Sequence, residues 1–255
     1  RPKPEIYLFG SEYGIDDVAR KHNIHHISET KRSSSGVPLI NDVFEKAQNL
    51  SMYDTVCFIN ADIILPPNFF DVINIVQKRF NNFLLVGKRW DCTVDLSLNA
   101  VENFDFEKIK TIALQNGEMH SSTGIDYFVF KKGLFKNLPP FAVGRTAYDE
   151  WLLYFAKDVQ KVPLIDVTEA IFAIHQKHPY KHPQGADGIW NSKEAKRNLK
   201  LAGGYGYCYT IEDANYMMDK DYNVCKTRFR FHNFFKVGKR YIQRFRDSIF
   251  SSLKL

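Results

Sequence analysis

The sequence lacks the features that announce most enzyme and membrane classes. It has no apolar run of ~18 residues, so no segment reads as a spanning helix. It does not open with a cationic stretch followed by an apolar core, so it shows no secretory signal pattern. Its four cysteines, Cys57, Cys92, Cys208 and Cys225, lie far apart. That spacing excludes a zinc knuckle or a Cys-x-x-Cys redox pair, supplies no disulfide framework and suits a reducing compartment. No G-x-G-x-x-G follows the first strand-like segment, and neither G-x-x-x-x-G-K-[ST] nor G-x-S-x-G occurs. Dinucleotide-dependent dehydrogenases, P-loop NTPases and serine hydrolases are therefore disfavoured.

What is present fits a globular chain. The 255 residues are 44% apolar and 25% charged, enough for one large domain or two small ones. Aromatics are plentiful, with 21 Phe and 13 Tyr. The net charge of +6 is uneven: residues 226–255 carry +8 and the rest sums to −2. Basicity is thus a property of the tail, and a nucleic-acid partner for the whole domain is not expected.

Hydrophobic patterning alternates strand and helix. Glu5–Gly10, Asn23–Ile27, Thr55–Ile59 and Phe83–Val86 read as strands, separated by helical patterns over Asp16–His22, Leu39–Leu50 and Phe69–Phe80. Further on, Tyr127–Phe130 and Val162–Val167 read as strands. Ala147–Ala156, Glu194–Leu201 and Glu212–Met218 read as helices. The alternation predicts an α/β layer architecture around a mostly parallel sheet.

Four segments carry candidate chemistry. The buried strand Thr55–Ile59 runs into Asn60-Ala61-Asp62, and ligands of open α/β sheets bind beyond strand carboxyl ends. A carboxylate there can hold Mg²⁺ or Mn²⁺; it can equally cap a turn. Asp149 and Glu150 open an amphipathic helix, where acids complement the helix dipole but can also serve as a general base. His175, His178 and His182 crowd into one short stretch. One of them joining Asp62 on a cation is the economical reading; His178 and His182 read as exposed loop residues. Arg89 and Trp90, with Asp126, suit a phosphorylated or sugar ligand, though an ordinary strand end explains them as well.

In combination these segments resemble a GT-A type glycosyltransferase. The stretches that carry the resemblance are PEIYLFG, SSSGVPLINDVFEKAQ, VCFINADIIL, VGKRWD, GIDYFVFKKGLF, PPFAVGRTAYDEWLL, AIHQKHPYKH and KEAKRNLKLAGG, in order from about residue 4 to residue 218. The resemblance implies a three-layer α/β sandwich over 1–225 and a nucleotide-sugar donor at the strand ends. It implies Mn²⁺ or Mg²⁺ on Asp62 and His175. Asn60, Ala61, Arg89, Trp90, Asp126 and Arg145 would surround donor and substrate. Asp149, with Glu150 as the alternative, would be the base of an inverting transfer to a glycan, lipid-linked or protein acceptor. Two departures stand out. Asn60 replaces the first Asp of the usual Asp-x-Asp, and the sequence starts just before PEIYLFG, where relatives have a further strand and helix. A binding protein on the same scaffold and a nucleotidyltransferase are the competing readings.

Residues 226–255 form the second unit, a basic amphipathic tail. Apolar positions 231, 234, 235, 242, 245, 249 and 253 recur at helical spacing among Lys236, Lys239, Arg240, Arg244 and Arg246. One reading lays this helix on an anionic membrane surface; the other packs its apolar stripe on the domain with a solvated basic face. The expected location is cytoplasmic, with any membrane contact on the cytoplasmic face.

Overall fold

In the computed structural model, residues 3–94, 104–178, 185–227, 238–240 and 242–246 are described. The chain opens with β1 (Tyr7–Phe9), α1 (Ile15–His22) and β2 (His25–Ile27). β1 and β2 pair in parallel as a two-stranded sheet of their own. Then come α2 (Ile40–Leu50), β3 (Thr55–Ile59), β4 (Ile63–Ile64), α3 (Phe69–Arg79), β5 (Leu84–Val86) and β6 (Arg89–Cys92). α4 (Phe106–Asn116), β7 (Glu118–Met119), β8 (Tyr127–Lys131) and α5 (Tyr148–Tyr154) follow, and α5 runs on into a π-helical turn over Phe155–Val159. The described sequence continues with β9 (Leu164–Asp166), β10 (Ala173–Gln176), α6 (Gly185–Asn191), α7 (Lys193–Ala202), β11 (Tyr216–Met218) and β12 (Val224–Lys226).

Six strands form the central sheet in the order β12-β11-β9-β5-β8-β3. The expectation of a mostly parallel sheet is corrected here. β5–β9 and β9–β11 are parallel, but β8 runs antiparallel to both β5 and β3, and β12 antiparallel to β11. A strand buried on both faces reads as a continuous apolar run whichever way it points, so the pattern Tyr127–Lys131 carries no direction.

Side-chain alternation sorts each strand between two cores. Leu84, Val86, Phe128 and Phe130, with Val56 and Phe58, face α2 and α5. Leu85, Tyr127, Val129 and Ile165, with Cys57 and Ile59, face α3. Helices therefore cover both faces in three layers. Phe44 of α2 stacks on Phe130 and meets Phe135 edge-on. Each such buried ring stabilises the fold by roughly 2–3 kcal/mol.

The helix expected over Glu212–Met218 is also corrected. It is a single 3₁₀ turn over Ile211–Asp213 followed by strand β11. The Thr210–Asp213 capping box closes the turn at once, and Asn215 Oδ1 accepts the Leu164 amide (2.8 Å), which pins the chain to β9. Among the described residues no helix is long and apolar enough to cross a membrane.

A second sheet, β4-β10-β6-β7, stands beside the first. α4 packs Phe106, Ile109 and Ala113 against Cys92, Ile174 and Ile64 on one of its faces. By strand alternation the opposite face presents Arg89, Asp91 and His175.

Candidate metal and acid–base site

Register assembles this site. β10 lies between β4 and β6, pairing His175 with Ile63 on one side and with Asp91 on the other. Asp62 sits in the tight turn that joins β3 to β4, closed by Ile63 N donating to Asn60 O (3.2 Å). The Gln176 amide donates to Asp62 O (3.0 Å), locking that turn against β10.

Among the described residues one trio of ligand-bearing side chains converges: Asp62, His175 and His178. His178 Nε2 lies 3.0 Å and His175 Nε2 3.4 Å from Asp62 Oδ2. Two ligands about 2.1 Å from a shared ion are about 3.0 Å apart at octahedral angles and 3.4 Å at tetrahedral ones, so the spacing suits a cation. Asp62 Oδ1 is buried without a hydrogen-bond partner, an orphaned anion-bearing atom that a cation would satisfy. Burial pushes the Asp62 carboxyl up, but the bonds from His175 and His178 outweigh it and hold its pKa at about 2.

Behind this trio lies a layer of support. Asp91 Oδ1 is 2.8 Å from His175 Nδ1. A carboxylate there keeps a proton on Nδ1 and sets Nε2 on the Asp62 side, where a bound cation would take the place of the Nε2 proton. Asp91 Oδ2 meets His120 Nδ1 at 2.6 Å, and Arg89 Nε donates to Asp91 Oδ1 (2.8 Å). Burial raises the Asp91 pKa; His120, Arg89 and His175 together bring it to about 2. Gly124 leaves room for the His120 ring, since a Cβ there would come within 2.2 Å of it.

Arg89 extends the network. Its Nη1 pairs with Asp126 Oδ2, and Asp126 Oδ1 accepts Asn60 Nδ2 (2.7 Å). Asn60 and Asp126 also face each other across the β3–β8 pair, where Asn60 N donates to Asp126 O (3.0 Å).

α5 brings Asp149 within electrostatic reach of Asp126. Ala147, at its N-cap, adopts φ 80°, a left-handed conformation that an Ala side chain disfavours by about 1–2 kcal/mol. Asp149 and Glu150 follow in the first turn and diverge. Burial and then the Glu150 charge raise the Asp149 pKa well above the usual carboxylate range; Asp126 adds to the rise, and helix-start amides offset only part of it. Glu150 is raised by burial, with a bond from the Cys208 thiol and the Arg240 charge opposing. Asp149 thus belongs electrostatically to the Asp126 side and Glu150 to the tail side. Burial first, and then the charges of Asp149, Asp126 and Asp62, push the Tyr148 hydroxyl well above its ordinary pKa, so all three carboxylates lie within electrostatic reach of it.

The structure brings Asn60, Asp62, Arg89, Asp126, Asp149 and His175 into this neighbourhood. Trp90, on the opposite side of β6 from Arg89 and Asp91, stacks on Phe172 at 5.2 Å. Ala61 is an exposed turn residue. Arg145 Nη1 donates to Gly144 O (2.8 Å), and its buried Nε has no partner. His178, expected as a loop residue, is half-exposed but reaches Asp62; His182 lies outside the described residues. Asp91, His120 and His178 were not singled out for these roles in the sequence. For Asp91 a signal existed: it stands two residues beyond Arg89 on one strand and so shares its face.

No protein-family model matches the chain, and no curated protein matches it.

Proposed function

We propose that the chain is a metal-dependent glycosyltransferase of GT-A type, moving a sugar from a nucleotide-sugar donor to an acceptor hydroxyl with inversion. The observation that carries this reading is a three-ligand cation site on Asp62, His175 and His178 together with a proton-avid carboxylate, Asp149, within electrostatic reach of Asp126. Two imidazoles and one carboxylate suit Mn²⁺ better than Mg²⁺, which prefers oxygen ligands. When bound, such a cation supplies Lewis-acid stabilisation of a leaving diphosphate.

The protein's own groups do the rest. In its ionised form Asp149 takes the proton from the acceptor hydroxyl, and its raised pKa strengthens it as a base. Asp91 orients His175. Arg89 is committed to Asp91 and Asp126, so its role is to fix those carboxylates. Arg145, with its unpartnered Nε, is the cation for donor charge in this reading. A binding-only reading draws on Asn60, which brings an amide where a second carboxylate would strengthen cation binding.

The test is nucleotide release from a panel of nucleotide sugars with Mn²⁺ and candidate acceptors. Release from one donor should fall at least ~100-fold in Asp149→Asn, the scale of a lost general base. Asp62→Ala should lose Mn²⁺ dependence as well. Donor binding by calorimetry should survive in Asp149→Asn. Wild-type turnover in either variant overturns the reading, and donor binding with no turnover of any acceptor leaves the binding-only role.

A further inference from the structure

The described part of the basic tail docks in an unexpected orientation. Residues 238–240 and 242–246 are helical. Arg240 and Arg244, one turn apart, face the domain. Arg240 makes a two-pronged bond to Asp213 (2.5 and 2.7 Å) and lies over the Tyr209 ring at 4.3 Å. Arg244 sits among Tyr154, Tyr207 and Tyr209 and donates from Nε to Gly206 O (2.9 Å). The Gly206 backbone lies so close to this helix that a Cβ would come within 2.7 Å of Arg244 Cγ.

The opposite face carries the apolar residues. Ile242 is 63% exposed and Phe245 68% exposed. Lys239 and Arg246 are exposed with them, and Tyr205, beside the docked helix on the Gly206 turn, is 58% exposed. Lys239, Ile242 and Arg246 follow one helical face at spacings of three and four. The packing reading of the tail is reversed here: two arginines point inward, and an aliphatic and an aromatic side chain point outward.

We propose that this outward face is a docking surface for an anionic lipid bilayer. Charge complementarity selects the occupant. Two cations, Lys239 and Arg246, accompany the two apolar side chains on this face, and the sequence of residues 226–255 sums to +8 against −2 for the rest. Apolar side chains that enter the headgroup boundary, flanked by Lys and Arg, are the pattern of an interfacial helix. Arg240 and Arg244 hold the helix to the domain through Asp213, Gly206 and the tyrosine rings, which leaves Ile242 and Phe245 on its exposed side. The surface is independent of the transferase reading, because none of its residues belongs to the Asp62–Asp149 neighbourhood.

Co-sedimentation of the full chain with vesicles tests it, using phosphatidylserine–phosphatidylcholine mixtures against phosphatidylcholine alone. The wild type should sediment with the anionic vesicles only. Ile242→Ser with Phe245→Ser should weaken that binding by about tenfold or more, and Lys239→Glu with Arg246→Glu should do the same and remove its salt dependence. Unchanged thermal unfolding in both variants shows that the fold is intact, since each replaces only exposed side chains. Equal sedimentation of wild type and Ser variant overturns the proposal. So does a vesicle-free dimer, seen by sedimentation velocity and abolished by the same Ser substitutions, which would assign the face to a second copy of the chain.

Discussion

Asp149 shows what single residues give up for function. Burial, then the charges of Glu150 and Asp126, favour the neutral form of its carboxyl. A carboxyl whose folded pKa lies above its unfolded value binds its proton more tightly in the folded state. Folding stability is therefore lost as pH rises from about 4 toward the folded pKa. Asp149→Asn removes that penalty while keeping shape and hydrogen-bond acceptance. It should stabilise the protein by about 1–2 kcal/mol at neutral pH, with no gain below about pH 4, while activity collapses. Urea titrations at several pH values read this directly, and a pH-independent difference would contradict it. Asp91 makes the opposite contribution. It touches no proposed substrate but fixes the tautomer of His175. Asp91→Asn should weaken Mn²⁺ affinity by about 10–100-fold in calorimetry, the usual effect of losing an orienting carboxylate behind a histidine ligand. An unchanged affinity would mean that His175 is held by β10 alone.

At the scale of elements, the link from β5 to β6 decides whether the site forms. Gly87 is the residue between Val86 and Lys88 where the chain leaves the central sheet to deliver Arg89 and Asp91. A Cβ at Gly87 would fall 1.9 Å from the Tyr127 hydroxyl oxygen, itself buried without a partner. Gly87→Ala should destabilise by about 2–3 kcal/mol through overpacking. Tyr127→Phe alone should be nearly neutral, because it deletes an unsatisfied hydroxyl. In Gly87→Ala with Tyr127→Phe much of the loss should return, and denaturant midpoints across this cycle measure the coupling. Additive losses would show that the strain lies in the backbone and not at the hydroxyl. The same region shows what a sequence can and cannot disclose. β3, α2, α3 and β5 were legible, because long apolar runs and helical periodicity depend on local burial alone. Asp62 was legible too, as a carboxylate at a strand end. β4, β6 and β10 were not, since β4 has only two residues and Arg89, Asp91 and His175 break the apolar runs of β6 and β10. Their register alone sets His175 between Asp62 and Asp91, so the support behind the trio stayed hidden. Trp90, read as a site residue in the sequence, lies on the Phe172 side of β6, because side-chain direction depends on which face of β6 the small sheet turns inward.

At the scale of the whole molecule, one short helix has two faces that obey different electrostatics. The docked face works through contact. The Arg240–Asp213 pair is largely shielded, with side chains 15% and 9% exposed, and Arg244 rests on aromatic rings. Interactions at such range and burial are weakly screened by salt. Arg240→Ala would leave the Asp213 carboxylate with only the Thr210 amide and hydroxyl as neutral partners, at a loss of about 2–3 kcal/mol. Arg244→Ala would remove the stacking on three tyrosines, worth about 1–2 kcal/mol. The outward face is different: its attraction to a charged surface acts across the Debye length of about 8 Å at physiological ionic strength, and added salt shortens it. Raising salt should therefore release the protein from anionic vesicles while leaving amide hydrogen exchange in residues 238–246 unchanged. Arg240→Ala with Arg244→Ala should do the reverse, speeding exchange at low salt while the exposed cations still draw the loosened tail to lipid. Exchange that accelerates with salt in the wild-type protein would mean that long-range attraction between basic tail and acidic body, and not the arginine–tyrosine contacts, holds the helix in place.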